Sequence, residues 1–201
     1  MRATELAIDG AWLFEPPTFP DHRGSFTAPF QGPAFREALG FELTVAQTNR
    51  SVSHRGVIRG VHFADVPPGQ AKYLHVAAGA VRDVIVDLRV GSATFGEHVA
   101  VDLDAAEPRA VYLAEGLGHA FQALADGTTV EYLCSTPYAP AAEHGISPLD
   151  PDLALPWADD LEPVLSDKDR DAVTLQHALV SGMLPTRDLC DARYDRLRAG
   201  R

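Results

Sequence analysis

Between Gln47 and Lys72 the chain gathers an amide pair (Gln47, Asn49), a guanidinium (Arg59), an imidazole (His62) and an ammonium (Lys72), separated by apolar runs and glycines. An imidazole titrates near neutral pH and suits proton abstraction. Guanidinium and ammonium groups suit phosphate oxygens and a carbonyl that gains negative charge. Taken alone, His62 reads more readily as a hydrogen-bonded core histidine. With Arg59, Gln70 and Lys72 beside it, a general base facing a phosphorylated, carbonyl-bearing ligand is the better reading. His119, Tyr132 and Tyr138 lie downstream on the same strand-like background. A phenol is a poor base but a good proton donor, so Tyr132 is the candidate acid. Tyr138, flanked by Pro137 and close to Pro140, is a rigid ring that either stacks on a base or caps a barrel mouth. His119 follows Gly116 and Gly118, which predicts a tight turn with close backbone approach. Asp83 shares a strand face with Val81 and Ile85, and a carboxylate there needs a partner such as Lys72 or His62. Asp169, by itself, reads as a solvated loop charge.

These groups need a scaffold, and the pattern around them is β. From about residue 43 to 138 short runs rich in β-branched and aromatic residues alternate with glycines, as in Val81–Leu88, Arg109–Leu113 and Thr129–Cys134. Short strands without long intervening helices predict a sandwich or barrel rather than a parallel α/β sheet. Pro33 and Gly40 bracket a short helix. After Trp157 the character changes to loop, then a helical stretch over Asp171 to Met183, then Pro185 and a charged segment holding Arg193, Arg196 and Arg198. The expected organisation is a single domain over residues 1–201, a β body to about 157 and a helical tail from about 158.

Strict strand alternation raises a difficulty. It places Arg59, Val61 and Phe63 on one face and Ile58, Gly60 and His62 on the other. Arg59 and His62 meet in one pocket only if Gly60 hosts a bulge or bend.

Composition narrows the function. The 201 residues carry a net charge of -11, which argues against nucleic acid as the main partner. Two cysteines, Cys134 and Cys190, are too few for a disulfide framework and match no zinc spacing. No apolar run is long enough for a membrane span, and Met1 to Leu6 lacks a signal-peptide core; the cytoplasm is the expected compartment. His62 is followed by Phe63 and Ala64 rather than a second ligand, so no catalytic metal and no cofactor are expected.

Together these residues resemble the dTDP-4-dehydrorhamnose 3,5-epimerase family. The shared signposts are Asp21-x-Arg23-Gly24-x-Phe26, Gln47-x-Asn49, Gly56-Val57-Ile58-Arg59-Gly60-Val61-His62, Gln70-Ala71-Lys72, Asp83 to Arg89, Gly116-x-x-His119-x-Phe121, Tyr132 with Tyr138, and Glu143-His144. The resemblance implies a mainly β, cupin-type jelly roll (a double-stranded β-helix). It implies a homodimer exchanging N-terminal strands, and inversion of C3, C5 or both in a dTDP-4-keto-6-deoxyhexose. His62 would be the base, Tyr132 the acid, Asp169 the carboxylate paired with His62, and Lys72 the stabiliser of the enolate oxygen. Arg23, Phe26, Gln47, Asn49, Arg59, His119, Glu143 and Lys168 would contact substrate, and Tyr138 would stack on thymine. One departure stands out: Ala28 and Pro29 occupy the run where rhamnose-pathway members usually carry a glutamate. Such variants are familiar among enzymes of antibiotic-type deoxysugars, so a mono-epimerase is the alternative within the family. A non-catalytic nucleotide-sugar binder and a metal-dependent oxygenase are the rivals outside it.

Overall fold

The computed structural model describes residues 1–200. Strands β1 (Arg2–Glu5), β2 (Ala11–Glu15), β5 (Gln47–Ser53), β7 (Lys72–Ala78), β10 (Ala110–Leu113) and β12 (Thr128–Cys134) form a six-stranded sheet ordered β1-β2-β10-β7-β12-β5. Strands β6 (Ile58–Ala64), β8 (Ala80–Asp87), β9 (His98–Asp104), β11 (Leu117–Ala123) and β13 (Glu143–Gly145) form a second, five-stranded sheet ordered β13-β6-β11-β8-β9. All pairings within them are antiparallel, and apart from β1–β2 and β8–β9 the neighbours in each sheet are not consecutive in the chain. This is the jelly roll expected from the sequence.

Alternation explains the inner faces. In β12, Val130 and Cys134 are fully buried and Tyr132 lies between them on the same side. In β8, Val81, Asp83 and Ile85 are all buried. The opposite side of the six-stranded sheet is covered over part of its area by α1 (Gly32–Leu39), which has proline at its first turn and ends at Gly40 in the left-handed region. Its Phe35 packs among Phe14, Tyr73 and Tyr112, with ring centroids 5.9, 6.3 and 5.0 Å away. Such contacts contribute about 0.5–1.5 kcal/mol each beyond area burial.

The tail is less continuous than the sequence suggests. It forms α2 (Asp167–Arg170), α3 (Leu175–Val180) and α4 (Arg187–Arg198). The helix expected from Asp171 starts only at Leu175, because Val173 bridges Ile146 in extended form and Thr174 caps the helix through its side chain. The charged last segment is itself helical, capped by Thr186. Parallel bridges Val57–Val164, Ile146–Val173 and Val90–Thr186 stitch the tail to the body.

One element stands apart. Strands β3 (Thr18–Asp21) and β4 (Gly24–Thr27) form a hairpin that, among the described residues, pairs only with itself. Phe19 and Phe26 are cross-strand partners in it and are 59% and 68% exposed.

Candidate active site

A cavity of about 200 Å³ opens between the two sheets, lined by Arg59, His62, Lys72, His119, Phe121, Tyr132, Ser166, Lys168 and Asp169. The five-stranded sheet supplies Arg59 and His62 from β6 and His119 from β11. The six-stranded sheet supplies Lys72 from β7 and Tyr132 from β12. The imidazole and the phenol thus enter one space from opposite walls.

Arg59 and His62 share this space because β6 bulges. His119 pairs with His62 and Phe121 with Arg59, so Gly60 and Val61 together oppose the single Ala120. Only glycine fits there. Gly60 has φ +119°, and a Cβ would lie 2.4 Å from the His119 carbonyl oxygen and 2.6 Å from the Ala120 Cβ. The bend demanded by the sequence pattern is therefore present at the residue that can host it. Arg59 is then held against β5, donating from Nε to Ser53 Oγ at 3.1 Å and from its guanidinium to the Val52 carbonyl at 3.3 Å.

Asp169 lies 2.6 Å from His62 Nε2 although 107 positions separate the two residues. Hydrogen bonds from Ile58 N to the Val164 carbonyl and from Val164 N to the Gly56 carbonyl lay the tail beside β6, and α2 turns back over the cavity. Ser166 caps α2: its Oγ accepts from Asp169 N and donates to Asp169 Oδ2 at 2.9 Å. Burial pushes the Asp169 carboxyl up, but the His62 hydrogen bond and charge, Ser166 and the Gly60 N–H outweigh it and hold the group below its usual value. An ionised Asp169 only accepts, so His62 Nε2 carries the proton and Nδ1 keeps a free lone pair.

His119 sits within β11 rather than in the turn expected for it; the turn is at Gly116, with φ +92°. Gly118 does provide close approach, since a Cβ there would meet Leu88 and Val61 side chains at 2.7 Å. The partner of Asp83 is neither Lys72 nor His62 but His119, whose Nε2 is 2.7 Å from Asp83 Oδ2. Both are buried, and the contact fixes the orientation of the His119 ring.

Burial pushes the Lys72 ammonium down, against the pull of Cys134, Glu143 and Asp83. Among the described residues no carboxylate lies within ion-pair distance of it. Burial raises the Tyr132 phenol, with Cys134 and Glu143 acting the same way and Arg59 and Asn49 opposing; it stays a proton donor at neutral pH.

The remaining candidates divide. Asn49 pairs with Tyr132 across β5 and β12 and accepts from Gln47 Nε2 at 2.6 Å. Gln47 Oε1 in turn accepts from Tyr138 N at 2.9 Å, which ties the backbone at that exposed tyrosine to β5. Glu143 Oε1 accepts from Gln70 at 3.5 Å in an adjoining groove. Arg23 and Phe26 are not brought to this cavity: they sit on the separate hairpin, where Arg23 is paired with Asp21 at 2.6 Å. Ser166 lines the site without having been singled out from the sequence, and Phe121, noted there only as a family signpost, also lines it. Ser166-x-x-Asp169 is a helix-capping spacing, and that signal could have found the serine.

The model of the dTDP-4-dehydrorhamnose 3,5-epimerase family matches residues 5–177. The chain belongs to that family. It is 53% identical, over 90% of its length and 92% of the relative's, to a dTDP-4-dehydro-6-deoxyglucose 3-epimerase of Streptomyces bikiniensis. It is 50% identical, over 98% of each chain, to a dTDP-4-dehydrorhamnose 3,5-epimerase of Mycolicibacterium smegmatis. Among solved structures, a 3'-monoepimerase from S. bikiniensis in complex with dTDP-quinovose superimposes with a TM-score of 0.95 at 50% identity, covering 96% of this chain and 98% of that one. Epimerases of the family thus include members named for one carbon and members named for two. The cupin-type fold and the membership in an isomerase family agree with the expectations drawn from the sequence.

Proposed function

We propose that this family member inverts C3, C5 or both in a dTDP-4-keto-6-deoxyhexose, with His62 as base and Tyr132 as acid. The observation that carries the reading is that these two groups enter a single cavity from opposing sheets. Protons on the carbons flanking a 4-keto group are acidic because their loss gives an enolate. His62 Nδ1 removes one, and the imidazolium that forms is stabilised by ionised Asp169. The charge moves to O4, where the Lys72 ammonium receives it without a competing ion pair. Tyr132 then delivers a proton from the other wall, and the centre inverts. A positioned acid–base pair contributes about 10²–10⁴-fold. Arg59 and Lys168 answer the diphosphate, which reconciles an acidic protein with an anionic ligand. His119, fixed by Asp83, hydrogen-bonds to a sugar hydroxyl; Gln47, Asn49 and Glu143 meet the sugar or diphosphate, and Tyr138 stacks on thymine.

The active unit on this reading is a homodimer that exchanges N-terminal strands. Three features support it. The β3–β4 hairpin carries Arg23 and the exposed Phe19–Phe26 pair away from its own body. Strand β5 is a sheet edge paired with β12 alone among the described residues. A groove of about 340 Å³ lies beside it, lined by Phe30, Thr48, Arg50, His75 and Glu131 among others. Arg23 and Phe26 would then complete the partner's site.

The test is NMR of dTDP-4-keto-6-deoxyglucose incubated with the enzyme in D₂O. Deuterium appears at each carbon that is inverted, C3 alone for a mono-epimerase and C3 with C5 for a double one. Enzyme that binds dTDP but exchanges no carbon-bound proton would refute the catalytic reading.

A further inference from the structure

The chain contains two lysines, Lys72 and Lys168, against fifteen arginines, and both lysines line the same cavity. They differ in setting. Lys168 lies on the exposed surface of α2, whereas Lys72 is half-buried at the start of β7, where desolvation depresses its ammonium. No carboxylate holds Lys72 in an ion pair among the described residues, so nothing must be broken for its nitrogen to act. Arg59 and Lys168 offer two cationic groups at the rim, the combination that binds a phosphate. An amine with a depressed pKa in the same cavity as two cationic side chains suits imine formation with a phosphate-bearing carbonyl compound.

We propose that Lys72 is a covalent capture site for small phosphorylated aldehydes, its amine condensing with the aldehyde carbon while Arg59 and Lys168 hold the phosphate. The neutral amine adds to the carbonyl, a C=N double bond replaces the C=O double bond, and the oxygen leaves as water with both amine protons. The step involves no redox change and reverses by hydrolysis. The adduct fills the space between His62 and Tyr132, so such compounds act as reversible inhibitors. The inference uses the cavity assigned above to a nucleotide sugar, but its test requires no turnover.

The experiment treats the full chain with pyridoxal 5′-phosphate, reduces with borohydride and maps the label by peptide mass spectrometry, with dTDP binding measured in parallel by calorimetry. The label is expected on Lys72, reduced roughly tenfold or more by saturating dTDP, by Arg59→Ala and by use of pyridoxal without its phosphate. Labelling confined to Lys168 or the N-terminal amine, no labelling, or labelling of Lys72 that is indifferent to both phosphate and Arg59 would overturn the proposal. If dTDP itself does not bind, the nucleotide-sugar reading fails instead, and the phosphate and Arg59 comparisons still decide the capture site.

Discussion

Replacing Asp169 by Asn tests how the imidazole is armed. The carboxylate is 5% exposed, lies 2.6 Å from His62 Nε2 and keeps its geometry through Ser166. Asn preserves the shape and the serine contact but removes the negative charge that stabilises the imidazolium. Its amide can also present a donor to Nε2, which selects the tautomer with Nδ1 protonated and useless as a base. A hydrogen bond to a charged partner contributes about 1.5–3 kcal/mol, and about 1.4 kcal/mol is tenfold in rate. Asp169→Asn should therefore lower kcat roughly 10- to 150-fold. Affinity for dTDP should stay within about twofold, because hydrogen bonds already occupy both carboxylate oxygens and the proposed diphosphate contacts are Arg59 and Lys168, not Asp169. Solvent exchange followed by NMR gives the rate and calorimetry the affinity. A variant with more than half the parent's kcat, or one whose dTDP binding falls as far as its rate, would refute the reasoning.

Three further outcomes follow from the geometry. Gly60→Ala forces a Cβ to within 2.4 Å of the His119 carbonyl at φ +119°; it should cost about 3 kcal/mol or more in urea unfolding and reduce exchange sharply, and a stable, active variant would show that the bulge is dispensable. Arg23→Ala changes only an exposed hairpin, so the melting temperature should hold while substrate KM rises roughly tenfold or more if the hairpin completes a partner's site; light scattering on the same samples should report a dimer. The buried Asp87 carboxyl is pulled to about 2 by Arg89, Ser92 and Thr94 despite the opposing effect of burial. Its folded pKa lies below the unfolded value, so its stabilisation of about 2 kcal/mol is present above about pH 4 and lost as pH falls towards 2. Asp87→Asn should lower stability at pH 7, and the gap should close in acid; an equal gap at both pH values would contradict that origin.

Much of the scaffold was readable from local pattern. The β-branched runs of β8, β10 and β12 form as strands, Pro33 and Gly40 delimit α1, and alternation correctly groups Tyr132 with Val130 and Cys134. What escaped depends on partners remote in sequence. The bulge could be required at Gly60 but not established there, because it is defined by the register of β6 against β11. The Asp83–His119 pair depends on Asp83 facing Phe121 and Ile85 facing His119 across β8 and β11, and one strand's pattern does not contain that register. Asp169 reads as a loop charge until the Val57–Val164 bridge lays the tail along β6. The tail helices differ for a similar reason: Val173 is drawn into a bridge with Ile146, which propensity alone does not reveal. The hairpin bearing Arg23 and Phe26 has no place in the single chain's cavity, so its role lies outside the local sequence pattern altogether.

The most direct test of a base and an acid on opposite faces of one sugar ring compares His62→Ala with Tyr132→Phe in D₂O, reading label and configuration at each carbon. His62→Ala should neither exchange nor invert. Tyr132→Phe should still exchange, because His62 can return a deuteron to the face it deprotonated, but with configuration retained. Exchange surviving in His62→Ala, or inversion at the parent rate in Tyr132→Phe, would contradict the assignment.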